Sequence, residues 1–455
     1  MKRVLIKDLE EKENVKISGM IKTIRNTKYM IFIKLKDRSG YIQVSIDKVK
    51  EDLANICANL TTGSFVSFTG NMVYSEYVKD GGKEFLPDTV EVLSLADAYP
   101  IEENALPDKK LDYRWIDLRC DQKEYIIPIQ SAFVKYLREF LYKEDFTEIH
   151  TPKIIGTASE SGSSVFELKY FDIKAYLAQS PQFYKQMAIA SGLERVFEVA
   201  PAFRAENSNT NRHCTEFTSF DLEFAYVDSY EDVMHMEEEM LTYSLDKLNE
   251  NYGEIIKERF NTEIIVPNKP FPRIKLFDLY KELEKRYGYK IPEHDIGDLN
   301  AETEKLACRF AMEEYNSEFL FITDYNKAKR PFYHMRDEND VPQGYDLLWR
   351  GMEITSGAQR EHRYDKLLAN ANEKGLTKDV EFYMQFFKYG MPPHGGFAIG
   401  VDRLTLLLLG LDHIRDAQFI FRGPNRLYPW NREELLFFFI YIKRRKLWIL
   451  QKKKF

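Results

Sequence analysis

Three stretches of the chain carry residues whose types and spacing suit work on phosphates and carboxylates. Residues 196–204 (VFEVAPAFR) and 216–226 (EFTSFDLEFAY) both read as strands, separated by the polar loop 205–211 (AENSNTN), which predicts an antiparallel hairpin. Alternation along the second strand puts Phe217, Ser219, Asp221 and Glu223 on one face and Phe220, Leu222 and Phe224 on the other. Arg204 ends the first strand and Arg212-His213 ends the loop. An arginine, a flat aromatic and two carboxylates therefore converge on one pocket, although a salt-bridged surface sheet would show the same pattern. Residues 395–400 (GGFAIG) precede Val401-Asp402-Arg403 and the apolar helical run 404–409. Such glycines let backbones approach closely, and a lone arginine suits a phosphate. Residues 351–360 (GMEITSGAQR) add a carboxylate and an arginine beside a small-residue turn. Neither a Walker A sequence nor a dinucleotide fingerprint occurs, which disfavours the common nucleotide folds.

These residues need elements to hold them. A helix is expected after Pro128, with Ile129, Phe133, Leu137 and Leu141 on one stripe. Ser229 and Asp232 form a capping-box pattern that opens a helix towards Asn251. Residues 254–320 alternate helical patterns with turns and carry no readable motif. Upstream, residues 15–18, 29–35, 41–46 and 65–70 read as short strands, with turn signals at Arg38-Ser39-Gly40 and Thr62-Gly63. That pattern suits a small barrel such as the OB-fold, which binds oligonucleotides on a strand face. Alternation sets Ile31, Ile33 and Leu35 against Met30, Phe32 and Lys34, and Ile42, Val44 and Ile46 against Tyr41, Gln43 and Ser45. The second set suits stacking and reading of an unpaired base, or else forms a second core face. Residues 87–107 read as a linker. The coarse architecture is a small β domain followed by a larger mixed α/β domain.

Length and composition agree. At 455 residues the chain has room for two to four domains, and 44% hydrophobic with 30% charged residues excludes a collagenous or wholly disordered chain. The net charge of -7 excludes a histone-like polycation but not local phosphate-binding patches. From Asn431 to Phe455 eight Lys/Arg face two acidic residues, a local +6 that leaves -13 for the rest. Cys57, Cys120, Cys214 and Cys308 are far apart, which points to reduced cytosolic thiols and a cytoplasmic protein without a structural zinc site. No signal peptide is evident, and no run of 18 apolar residues could span a membrane.

The series Arg204, Glu206, Arg212-His213, Glu216-Phe217 and, far downstream, the glycine-rich stretch with Arg403 resembles motifs 2 and 3 of the class II aminoacyl-tRNA synthetases. Residues 146–152 (FTEIHTP) resemble motif 1, whose proline lies at the dimer interface in that family. With the N-terminal barrel and residues 114–119 (RWIDLR), the resemblance covers nearly the whole chain through Pro429 and is most similar to the aspartate enzymes of the archaeal and eukaryotic cytosolic type (subclass IIb). It implies an α+β protein: an OB-fold anticodon domain over 1–96, a hinge over 97–122, and a class II catalytic domain of antiparallel sheet flanked by helices over 123–430. A basic and aromatic tail over 431–455 falls outside the resemblance. Its KRRK and KKK clusters suit a tRNA or membrane-surface contact, or no function at all.

The resemblance also implies roles. Arg204 and Arg403 would be the catalytic cations, Arg204 on the α-phosphate of ATP, with His213 and Arg403 at the γ-phosphate end. Arg212 would join the ATP site, Phe217 would stack on adenine and Glu206 would accept from its amine. Asp346 and Glu353 would hold Mg²⁺ as hard carboxylate ligands. In residues 179–186 (QSPQFYKQ) and 356–360 (SGAQR), Lys185 and Arg360 would meet the side-chain carboxylate of aspartate, with Gln182 and Ser356 beside them. Asp221 would take the α-ammonium, and Ser159-Glu160 would lie on a closing loop where Ser161 replaces the family's usual glycine. Phe32 and Gln43 match anticodon-contacting positions, as do Arg25 and Glu91. The partners implied are aspartate, its tRNA and a second copy of the chain as a homodimer.

Two cations in a desolvated pocket favour aspartate over neutral asparagine on this reading. The alternatives are an asparagine enzyme, against which Lys185 and Arg360 argue, and a non-catalytic relative kept as an RNA-binding module. The latter should have lost Arg204, Asp221, Glu353 or Arg403, and all four are present. Asp402 stands where glutamate is commoner, and residues 421–424 (FRGP) depart from the usual Pro-Arg-Asp-Pro.

Overall fold

Ile31, Ile33, Leu35, Ile42, Val44 and Ile46 are all buried, while Met30, Phe32, Lys34 and Gln43 on the opposite faces retain exposure. Period-2 alternation thus sets the inside of a barrel, as expected. The computed structural model describes residues 2–78, 82–156, 165–208, 210–376 and 380–427, in two units that divide between residues 102 and 103. In the first, β1 (Lys12–Asn26), β2 (Met30–Asp37), β3 (Gly40–Asp47), β4 (Phe65–Tyr74) and β5 (Lys83–Ser94) close in the order β1-β2-β3-β5-β4. A short helix, Glu51–Ala58, joins β3 to β4.

The fifth strand corrects the reading of residues 87–107 as a linker, since β5 runs through Pro87 to Ser94. Proline lacks an N–H for the ladder and is tolerated where pairing is irregular. Pro87 sits at such a place, where the β4–β5 register shifts between Thr69 and Gly70. The stretch read as a hinge over 97–122 also contains structure: helices Pro107–Asp112 and Arg114–Asp117 belong to the second unit. There Arg114 is buried, bonds Asp117 at 2.6 Å and donates to the carbonyl of Asp416 at 2.7 Å.

The second unit is built on an eight-stranded sheet. Its strands and those of a small side sheet are, in chain order, β6 (Thr147–Glu148), β7 (Ile154–Ile155), β8 (Glu167–Tyr170), β9 (Ile173–Leu177), β10 (Arg195–Phe203), β11 (Glu216–Ala225), β12 (Arg273–Lys275), β13 (Phe319–Thr323), β14 (Gly344–Trp349), β15 (Met352–Arg360) and β16 (His394–Gly400). The large sheet has the order β12-β13-β14-β15-β16-β11-β10-β6, and β7-β9-β8 form the small one. The expected antiparallel sheet is mixed: its β6–β10 and β12–β13 pairs at the two ends are parallel.

One face of this sheet is apolar and the other is charged. Phe220, Leu222 and Phe224 of β11, with Phe397 and Ile399 of β16, pack into a core with residues of helices Ile126–Lys143 and Tyr230–Phe260. Each such side chain contributes on the order of 1.5–3 kcal/mol on burial. The first helix carries the expected Ile129, Phe133, Leu137 and Leu141. The second opens at the Ser229–Asp232 capping box and runs to Phe260, past the expected Asn251. With one face committed to this core, the intervening residues of β11 and β16 must face the other way.

Candidate active site

β10 and β11 form the expected hairpin, with Ala202 opposite Phe217 and Glu198 opposite Asp221. β16 then lies beside β11, with Ala398 opposite Asp221 and Gly396 opposite Glu223, and β15 follows with Ser356 opposite Ala398. Gly396 is required here: a Cβ on it would come within 2.5 Å of Glu223 Oε2 and 2.2 Å of the Leu222 carbonyl. Two cavities open on this face, of about 180 Å³ and about 250 Å³. Arg204, Ser356 and Ala398 line both, so they form the shared wall.

The larger cavity holds Gln182, Lys185, Asp221, Ser356 and Arg360, which the sequence scatters over 179 positions and the sheet brings together. Lys185 Nζ lies 3.3 Å from both Asp221 Oδ1 and Glu223 Oε2. Arg360 Nε donates to Glu223 Oε1 at 2.9 Å, and its Nη2 donates to the Gly396 carbonyl at 2.8 Å and to Gln182 Oε1 at 3.4 Å. Burial alone would raise the Glu223 carboxyl, but the Arg360 and Lys185 cations outweigh it and hold Glu223 below its usual range. This corrects the charge argument made from sequence. Asparagine would not leave Lys185 and Arg360 uncompensated, because Asp221 and Glu223 already neutralise them.

Gln182 is oriented by a buried relay. The Pro392 carbonyl lies 2.9 Å from His394 Nδ1, which therefore carries the proton and leaves Nε2 to accept from Gln186 at 2.8 Å. Gln186 Oε1 then accepts from Tyr383 Oη at 2.9 Å and from Gln182 Nε2 at 2.8 Å, which turns the Gln182 carbonyl towards Arg360. Burial lowers His394 to about 4, so this relay stays neutral.

The smaller cavity is lined by Arg204, Glu206, Arg212, His213, Phe217, Glu353 and Arg403. The Arg204 guanidinium stands 5.2 Å from the Phe217 ring centroid, a cation–π contact. Arg403 follows β16 on helix Val401–Leu408 and donates to the Glu353 carbonyl at 2.9 Å. Burial, with Arg403 and Arg212 nearby, lowers His213 below its ordinary range. Arg212 bonds Glu304 Oε2 at 2.6 Å, and Glu304 also accepts from the Glu353 amide at 3.2 Å. Glu304 sits on helix Ala301–Tyr315, within the stretch that carried no motif. Asp402 is buried among Gln418, Thr218 and Gln130, with no ion pair among the described residues, and burial pushes it to about 6.

Carboxylate chemistry fits a hard divalent cation. Glu353, at the cavity wall, is raised above the usual carboxylate range by burial and then by the charge of Asp346, with Glu304 adding to it. Bound positive charge would relieve that crowding. Asp346 accepts two bonds from Arg330, at 2.8 and 2.6 Å, and Arg330 also reaches Ser356 Oγ at 3.1 Å. A carboxylate so held retains lone pairs for a metal. Among the described residues no group of three or more His, Cys, Asp or Glu could hold a metal ion. Two carboxylates completed by phosphate oxygens match what Mg²⁺ asks of a nucleotide site.

Sequence reasoning missed Glu223 as a site residue, although its face had been identified, and also Glu304, Arg330 and His394. The last three had no signal beyond their type. Ser159 and Glu160 lie outside the described residues, as does the tail over 431–455.

On the barrel, Arg25 of β1 is paired with Phe32 of β2, its guanidinium 4.8 Å from the ring centroid. Gln43 of β3 bonds Ser45 Oγ at 3.2 Å and Glu84 Oε1 at 3.3 Å. Glu91 is not with them. It lies seven residues along β5 from Glu84 and pairs with Lys16 at 3.1 Å.

The family described as tRNA synthetases class II (D, K and N) matches residues 107–421, and the OB-fold nucleic acid binding domain matches residues 15–93. The aspartate–tRNA(Asp) ligase of Pyrococcus abyssi is 39% identical over 427 residues, covering 92% of this chain and 96% of the relative. The aspartate–tRNA(Asp/Asn) ligase of Aeropyrum pernix is 39% identical over 426 residues, covering 91% and 95%. Among solved structures, asparaginyl-tRNA synthetase from Pyrococcus horikoshii with asparaginyl-adenylate superposes with a TM-score of 0.85 at 34% identity, covering 94% of this chain and all of that one. A putative aspartyl-tRNA synthetase from Leishmania major gives 0.84 at 30% identity, covering 94% and 95%.

Proposed function

The chain belongs to the class II tRNA synthetases (D, K and N), and from that premise we propose that it activates L-aspartate with ATP and transfers it to the tRNA for aspartate. The observation that carries this reading is the shared wall: Arg204, Ser356 and Ala398 separate a cavity lined by Lys185, Asp221 and Arg360 from one lined by Phe217, Glu353 and Arg403. An amino acid in the first and a nucleotide in the second would meet at Arg204.

Aspartate's side-chain carboxylate would face Lys185 and Arg360, with its α-ammonium at Asp221. An oxygen of its α-carboxylate attacks the α-phosphorus of ATP, the bond to the β-phosphate oxygen breaks, and aspartyl-adenylate and pyrophosphate result. Arg204 neutralises charge where these groups meet, while His213, Arg212 and Arg403 hold the rest of the triphosphate and Phe217 packs the base. Asp346 and Glu353 would hold Mg²⁺, which would supply charge neutralisation on the phosphates. No side chain acts as nucleophile, so catalysis rests on positioning and preorganised charge. The terminal ribose hydroxyl of the tRNA then displaces AMP from the adenylate, with Arg25, Phe32 and Gln43 reading the anticodon.

No helix among the described residues is long and apolar enough to cross a membrane. We place its barrel domain at 1–96, a short connecting segment at 97–106 and the catalytic domain from 107 onward, and expect a homodimer. Pyrophosphate exchange with aspartate and with asparagine tests the reading, followed by charging of both tRNAs. Exchange with aspartate supports it. Preference for asparagine, or no exchange with either, overturns it.

A further inference from the structure

The larger cavity contains a histidine for which the family resemblance gives no role. His334 is 4% exposed and lines the cavity beside Lys185, Gln182 and Arg360, and its backbone bridges to that of Arg360. Its Nδ1 is buried with no hydrogen-bond partner. The reason lies directly opposite, at Gly344: a Cβ there would come within 2.8 Å of Nδ1 and 3.1 Å of Cε1. The imidazole occupies the space that any side chain at 344 would need, so no side chain there can supply Nδ1 with a partner.

Only one polar atom of the ring then remains for the cavity, Nε2. Burial, together with the neighbouring Arg360 and Arg330 cations, keeps the ring neutral. A neutral imidazole has one N–H and one lone pair. An N–H sealed against Gly344 would be an orphaned buried donor, the rarer and costlier arrangement, so the lone pair sits at Nδ1 and the proton at Nε2. Nε2–H is therefore the ring's one donor, on a residue that lines the cavity, and no hydrogen bond from it occurs among the described residues.

We propose that His334 is a specificity-determining residue that reads the end of the amino-acid side chain, donating from Nε2 to an oxygen of a carboxylate and opposing the NH₂ of an amide. This rests on the reading of the larger cavity as the aspartate site, and it supplies what charge does not. Lys185 and Arg360 are already neutralised by Asp221 and Glu223, so discrimination between a carboxylate and an amide of the same shape needs a group of fixed donor sense. A carboxylate oxygen accepts from Nε2–H. An amide turned to present its NH₂ places two donors together, and turned the other way it presents its NH₂ to the donors Lys185 and Arg360. Sites built to hydrogen-bond one group discriminate strongly against an analogue that cannot reciprocate.

The test is pyrophosphate exchange in the full-length protein with His334→Ala, His334→Gln, Gly344→Ala and the double variant His334→Ala/Gly344→Ala. His334→Ala should raise the aspartate KM roughly 10–100-fold, as loss of a hydrogen bond to a charged group does, with the ATP KM unchanged. His334→Gln can turn its amide either way, so it should narrow the ratio of aspartate to asparagine kcat/KM. Gly344→Ala should reproduce the aspartate defect by displacing the ring, but should add little once the ring is gone. If His334→Ala fails to fold, the volume-retaining His334→Gln carries the test. Wild-type exchange with aspartate, combined with an unchanged KM and ratio in the variants, overturns the role of His334 while leaving the functional reading intact. Failure of the wild type to exchange with aspartate overturns that reading, and the proposal that rests on it.

Discussion

Arg360 Nε donates to Glu223 Oε1 across 2.9 Å, joining a guanidinium and a carboxylate that are both almost fully buried. The second oxygen of Glu223 lies 3.3 Å from Lys185 Nζ, so one carboxylate serves both cations of the proposed aspartate pocket. Removing one partner of a buried pair leaves an unpaired charge, which typically costs about 3–5 kcal/mol. Glu223→Gln should therefore lower unfolding stability by about that much in denaturant titrations. Saturating aspartate should recover more of the loss than it stabilises wild type, because its carboxylate supplies the missing negative charge. A change below about 0.5 kcal/mol, typical of exposed sites, would count against the role given to Glu223.

Lys185 makes contact with both carboxylates at the back of the same cavity. Lys185→Ala should raise the KM for aspartate far more than that for ATP, since of the two cavities Lys185 borders the larger and not the smaller. Equal effects on the two KM values would contradict the division of labour between the cavities.

Arg204 stands at the wall common to both cavities, where charge would build up as the carboxylate attacks phosphorus. Loss of a preorganised group of this kind typically costs roughly 10²–10³ in kcat. Arg204→Ala should fall in that range in pyrophosphate exchange, with smaller changes in KM. A kcat within a factor of about two of wild type would show that the transition state does not use this arginine.

Phe32 and Arg25 pair across neighbouring strands on the outer face of the barrel. Stacking of a base on an aromatic ring is worth about 1–3 kcal/mol. Phe32→Ala should accordingly raise the KM for tRNA about 5–150-fold in charging assays and leave pyrophosphate exchange untouched. A parallel loss of exchange would show damage beyond the barrel.

Glu237 is buried beneath the sheet, accepts from Tyr345 Oη at 2.8 Å and has no hydrogen-bond partner for its other oxygen. Burial pushes its carboxyl up from the model-peptide range to about 8. The folded state then holds a proton that the unfolded chain has released, so stability must fall as pH rises from about 4.5 to about 8 and level off above. Glu237→Gln should flatten that slope and raise Tm at pH 9 by several degrees, because about 1.4 kcal/mol attaches to each pH unit of such a slope. An unchanged slope between pH 6 and 9 would locate the titration elsewhere.

Much of the frame is legible in local pattern. The β10–β11 hairpin, the two faces of β11, the capping box at Ser229 and the inward residues of β2 and β3 all follow from periods of two or from contacts within a few residues. β5 was not legible, because Pro87 and the charged residues around it argue for a linker until β4 is present to pair with them. Glu304 was invisible for a similar reason: on its own helix it is one acidic residue among several. It acquires a role only when folding brings Arg212, 92 positions earlier, to 2.6 Å.

From the sequence alone, then, came which residues must face the site, since backbone periodicity assigns a side chain to a face before any partner is known. Tertiary structure alone decided the balance of charge and hydrogen bonding there. Arg360 meets Glu223 across 137 positions, Arg330 grips Asp346, and the His334 ring packs where a side chain at residue 344 would stand. Coulomb energy and desolvation depend on distances of a few ångströms and on burial, and neither quantity exists until the chain has folded.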